Sequence, residues 1–205
     1  MIAVLYVQTR GRSMGWQAEQ FGEAHQGYAG AVLADGSDPK PVFFDTGSAA
    51  NMQSSLEWWA YDGKAARPLA VGMRAHCACG WRAAQAHTIS WDQVAADGVE
   101  LTDTSGPAAD WEQHIDAVEA EAAVVPPELV GMIDQLGAGL EDLADLKPLT
   151  ALRVVAKLER LTARIGGVAA RNVEADGLED ATVARSLGIP APAARSRVAR
   201  YRLGR

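Results

Sequence analysis

The tandem prolines of "VVPPEL" (Pro126, Pro127) constrain this chain more than any other feature, because the hydrophobic period differs on their two sides. Neither proline donates a backbone hydrogen bond, so no interior strand and no helix interior runs through the pair. Before it, short apolar runs such as "GYAGAVLAD" and "PVFFDTG" are bounded by Gly, Asp and Pro, which marks strands separated by turns. "SLEWWAYDG" continues the β-like pattern, rich in aromatics and closed by Asp-Gly. "MRAHCACGWRAAQAHTI" reads as two strands around a turn at Cys79-Gly80. After the prolines, Leu129, Met132, Ile133, Leu136, Leu140 and Leu143 recur at steps of three and four residues, and so do Leu152, Val155, Leu158, Leu161, Ile165 and Val168. One helix precedes the break: "SGPAADWEQHIDAVEAEA" starts at Ser105 and sets Trp111, Ile115 and Val118 along one face. The expected fold class is therefore α+β. A mainly antiparallel β domain ending in a helix covers residues 1–125, and an α-helical domain covers 126–205.

Nearly half of the 205 residues are hydrophobic, enough for a core in each part. Trp16, Trp58, Trp59, Trp81 and Trp91 are expected to form the core and rim of the first, and Gly166-Gly167 to kink the long helix of the second. The opening "IAVLYVQT" has no basic region before it and no small-residue cleavage site after it, and no apolar run reaches the ~20 residues that span a bilayer. The expected location is the cytoplasm.

Charge is unevenly shared. Residues 1–150 hold 8 bases against 21 acids, whereas residues 151–205 hold 11 bases against 5 acids. The last stretch, Arg185 to Arg205, has six arginines and no acid. A basic end on an acidic body points to a polyanionic partner.

Within that end, "ATVARSLGIPAPAARSRVARYR" meets the demands of a helix-turn-helix at about residues 178–203. Ala184 is small where two helices cross, Leu187 follows on the core side, and Gly188 permits the left-handed backbone that ends a helix. Ile189 plugs the turn, and Pro190 and Pro192 suit the turn and the first turn of the next helix. Ala194, Val198 and Tyr201 form an inner seam that leaves Arg195, Ser196, Arg197, Arg200 and Arg202 as the DNA-facing candidates, Arg202 together with Arg205 for loose backbone contacts.

The segment resembles the fourth-region helix-turn-helix of sigma factors of the extracytoplasmic-function type. Val183-Ala184, Leu187-Gly188-Ile189, Arg195-Ser196-Arg197-Val198, Arg200 and Arg202 fall on the matching positions. Pro190 stands where that family usually has a capping Ser or Thr, and Ala193-Ala194 replace a more usual Thr-Val. No sigma second region precedes it. The resemblance implies a DNA-reading module of that shape; the alternative for the basic helix is a protein partner such as RNA polymerase, or docking against the acids of the chain's own residues 110–145.

A second constellation is "AHCACGWRAAQAH" with the later "WEQHI". Cys-x-Cys-Gly resembles a compressed zinc knuckle, and Cys77, Cys79, His87 and His114 supply the four donors of a closed tetrahedral site. On a strand, Cys77 and Cys79 share one face and His76 takes the other, which favours His87 as the fourth ligand. The implied cofactor is structural zinc. Two buried cysteines acting as small hydrophobes, or a Cys77 or Cys79 nucleophile with His87 or His114 as base, are the alternatives. No Gly-rich phosphate loop, nucleophile elbow or carboxylate pair accompanies them, so no enzyme is expected.

The function these features point to is sequence-specific binding of double-stranded DNA for transcriptional regulation, with the β domain sensing a ligand or partner. The alternative is an interaction protein whose basic helix engages RNA polymerase or another acidic surface. The leucines of residues 147–173 suit either the first helix of a three-helix unit or the seam of a homodimer.

Overall fold

A computed structural model describes residues 4–9, 13–45 and 52–204. The fold is α+β, with an antiparallel sheet in the N-terminal part and helices in the C-terminal part. The chain forms two compact units, Met1–Ala120 and Glu121–Arg205, dividing just ahead of the tandem prolines.

In the first unit, β1 (Val4–Thr9), β2 (Ser13–Ala18), β3 (Gly27–Val32), β6 (Gly72–Cys77) and β7 (His87–Thr88) make one sheet in the order β1-β2-β3-β6-β7, antiparallel throughout. β4 (Val42–Asp45) and β5 (Met52–Ser55) pair separately. The central pair is in register from Gly27 opposite Cys77 to Val32 opposite Gly72. Helix α1 (Trp91–Asp97) is capped by the Ser90 hydroxyl, which accepts from the Gln93 N–H. Helix α2 (Ser105–Glu121) begins after Asp103, whose carboxylate accepts from the Ser105 N–H, so the acid two residues upstream does the capping expected of Ser105.

Trp111 and Ile115 of α2 have no exposed surface, and Trp111 packs against Trp16 with ring centroids 6.0 Å apart. Truncating Trp111 to Ala would cost about 3–5 kcal/mol. The stretch "SLEWWAYDG" departs from the expected β-like run. It winds into a single tight turn at Trp58–Ala60, where the Ala60 and Tyr61 N–H groups donate back to the Glu57 and Trp58 carbonyls. The turn sends Trp58 and Tyr61 together into the core, which a strand's alternation would forbid.

The second unit holds α3 (Pro127–Leu146), α4 (Pro148–Ala175), α5 (Asp180–Leu187) and α6 (Ala191–Arg202). Pro127 and Pro148 stand at the first helical positions, where a missing N–H does no harm. α3 packs on α4, and α4 and α5 both pack on α6. α4 runs unbroken through Gly166-Gly167. The glycines serve close approach rather than a kink: a Cβ on Gly166 would lie 2.8 Å from the Tyr201 ring of α6. No described helix is long and apolar enough to cross a membrane.

Candidate functional site

The strand register of the first unit assembles a group of four donors. Because Gly27 pairs with Cys77, the residue that leads into β3, His25, lies beside the end of β6. The chain then turns at once. Ala78 N–H donates to the Gln26 carbonyl and Gly80 N–H to the Cys77 carbonyl, each at 2.9 Å, with Gly80 at φ +94°. Glycine adopts that backbone without strain. This tight turn aims the Cys79 sulfur back at Cys77. From the opposite side, α2 contributes His114, one turn beyond the anchored Trp111.

The donor atoms of His25, Cys77, Cys79 and His114 all lie within 4.8 Å of one another. Cys77 Sγ is 3.5 Å from His25 Nδ1, and Cys79 Sγ is 3.3 Å from His114 Nε2. Tetrahedral bonds of ~2.3 Å to sulfur and ~2.05 Å to nitrogen set a sulfur–nitrogen edge of about 3.6 Å. The group matches that edge and can hold a metal ion. Aromatic rings brace the imidazoles: Trp81 stacks on His114 at 4.3 Å and 4°, and Phe21 lies 5.4 Å from His25.

The two sulfurs behave as a pair. A hydrogen bond from Cys77 is the main cause that holds the Cys79 thiol far below its ordinary value; burial opposes it, and His114 and His25 add to the lowering. The same bond, followed by burial, pushes Cys77 up. The Trp111 indole N–H is buried beside Cys77 and weakly opposes that rise by favouring the thiolate. Such a donor beside a sulfur suits a metal thiolate.

Cys77, Cys79 and His114 therefore meet as expected, but His87 does not join them. It lies in β7 opposite Met73, four residues and about 13 Å along β6 from Cys77. Its Nε2 is 2.8 Å from Asp110 Oδ2 of α2. The expectation failed because the chain doubles back after Gly80, with Ala83 N–H bonding to Ala75 O, and carries His87 away. His76 takes the other face, as strand alternation requires. It stacks on Tyr28 at 5.2 Å, and burial foremost holds its pKa below the ordinary imidazole value against the pull of Asp38.

The basic segment folds as two helices about a left-handed turn. Gly188 has φ 58° and ψ 41°; its N–H reaches the Arg185 carbonyl, and the Ile189 N–H reaches that of Ala184, both at 3.0 Å. These are the two bonds of a Schellman closure. Ala184, Ile189 and Ala194 are buried, Ala194 completely. Leu187 is instead exposed, at 39 %.

On α6, Arg195, Ser196, Arg200 and Arg202 are exposed and Arg197 is half-buried. Arg195 pairs with Asp180 at 2.7 Å and Arg202 with Glu174 at 2.8 Å, both in water. The Arg200 guanidinium sits 5.4 Å over the Tyr201 ring, and Ser196 Oγ donates to the Pro192 carbonyl at 2.9 Å. Arg205 lies outside the described residues. No family model, curated protein or solved structure matches the chain.

Proposed function

We propose that this chain is a sequence-specific DNA-binding protein that regulates transcription, with α6 entering the major groove and α5 bracing it. The observation that carries the reading is the Schellman closure at Gly188, which joins a short helix to one whose inner side buries Ala194 and whose outer side presents Arg195, Arg200 and Arg202. The likeness of this segment to the sigma fourth region supports the same reading and makes RNA polymerase a natural second partner. The ion pairs of Arg195 and Arg202 do not oppose it. Exposed pairs of that kind are worth about 0–1 kcal/mol, and a phosphate can replace the carboxylate. In the first unit, two thiolates and two imidazoles form a donor set suited to zinc, held as a structural staple rather than a reaction centre.

The test is selection of bound sequences from a random duplex pool, followed by salt titration of binding by wild type and Arg197→Glu. The reading expects an enriched motif. It also expects the variant to bind about tenfold or more weakly, with a salt slope reduced by about one or more. No enrichment, or unchanged duplex binding by the variant, would assign the basic face to an acidic protein surface instead.

A further inference from the structure

We infer that the paired helices α3 and α4 form the interface of a twofold homodimer, with α3 of one copy laid along α4 of the other to close a four-helix bundle. The inference does not depend on what α6 binds. α3 buries none of its residues: Met132 and Ile133 are each more than half exposed, and Leu129, Val130 and Leu136 are exposed by 43–49 %. On α4, Leu152 and Ile165 are more than half exposed, and Leu161 and Val168 are 40 % and 47 % exposed. So many large apolar side chains along two adjacent helices exceed the scatter of single hydrophobes on an ordinary surface.

Part of this surface falls on a helical seam. On α4, the exposed Leu161, Ile165 and Val168 continue the three-and-four-residue steps of the buried Ala151 and the half-buried Val154 and Leu158, the a/d pattern of a coiled coil, with Leu152 beside it. In that frame Lys157, Arg164 and Arg171 all occupy the g position. On α3, Leu129, Met132, Leu136 and Leu143 fit the same frame, with Glu128 and Asp142 at g. Antiparallel helices bring g to g, so the acidic edge of α3 complements the basic edge of α4.

The wider composition agrees. α3 has five acids and no base, whereas α4 has five bases against two acids. Among the described residues no ion pair joins α3 to α4 within the chain, so both edges remain available to a second copy. A twofold axis uses each edge once in each direction, as an isologous interface requires. The 20 residues of α3 span about 30 Å. Two helices of about 10 Å diameter then present a footprint of about 600 Å². That is the scale of the ~800 Å² per partner buried in stable complexes.

The experiment is the mass of the full chain in solution, by light scattering and sedimentation across the micromolar range. The expected result is twice the 21.7 kDa chain mass for wild type and the single chain mass for Ile165→Glu with its helical circular dichroism intact. A second set of variants changes only exposed charges: Glu128→Lys with Asp142→Lys on α3, and Lys157→Glu with Arg164→Glu on α4. Each double variant alone should dissociate, and an equimolar mixture should recover the dimer. A monomeric wild type, or a dimer that neither Ile165→Glu nor the charge variants weaken, would overturn the inference. So would failure of the mixture to reassociate.

Discussion

His25 and His87 separate two accounts of the thiol group, one by proximity in space and one by proximity in sequence. Removing the His25 imidazole takes away one of the two nitrogen donors that could hold a metal ion, whereas His87, in β7 opposite Met73, is hydrogen-bonded to Asp110 of α2. His25→Ala should therefore lower zinc affinity by tenfold or more, a loss of about 1.4 kcal/mol or greater. His87→Ala should leave zinc content at wild-type level, as read by competition with a chromophoric chelator and by elemental analysis. Equal loss in both variants would remove the site from this turn. Three of the four donors were legible in the sequence because Cys-x-Cys-Gly announces a turn that exposes sulfur and because His114 falls on the buried side of an obvious helix. His25 was not, since it lies 52 residues from Cys77 and only the pairing of Gly27 with Cys77 brings it there. Strand pairing is a non-local choice that no local spacing encodes.

Among the elements, the helices of the second unit follow the three-and-four-residue apolar steps closely, with prolines marking three starts and Gly188 one end. Those signals are local, and they hold even where, as on α3, no residue is buried. Three details escaped because tertiary contacts decide them: the turn at Trp58–Ala60, the unbroken run of α4 through Gly166-Gly167 beside the Tyr201 ring, and the exposure of Leu187 at the last turn of α5. Gly188 is the residue on which the helix-turn-helix reading leans hardest. An alanine there would have to hold φ near 58°, a left-handed backbone that costs about 1–2 kcal/mol. In a unit of residues 121–205, Gly188→Ala should lower the melting temperature by roughly 5–10 °C. Duplex binding should survive below the new midpoint if the closure shapes the module rather than contacting the ligand. Unchanged melting would mean that α5 and α6 do not depend on this turn.

The whole molecule offers a clean way to ask what the metal group does, because the two units carry different optical reporters. All six tryptophans belong to the first unit, and Trp16, Trp58 and Trp111 are buried there. Most of the helix belongs to the second unit, in α3 to α6. His25, Cys77, Cys79 and His114 bring together the approach to β3, the end of β6 and the middle of α2, so a metal ion bound there would restrain three segments that are distant in sequence. Binding energy gained only in the folded state adds to folding stability. Stripping zinc with a strong chelator should therefore red-shift the tryptophan emission and lower the first unit's melting temperature, while the far-ultraviolet helical signal largely persists. Because Trp81 stacks on His114, its quenching should also change as zinc leaves. Restoring zinc should reverse all three changes. A chelated protein that has lost its metal yet keeps wild-type tryptophan emission and melting would show that the group binds without stapling. The hydrophobic core around Trp16, Trp58, Tyr61, Trp111 and Ile115 would then hold the first unit without help from a metal. Collapse of the helical signal together with the tryptophan signal would show instead that the two units fold as one cooperative body.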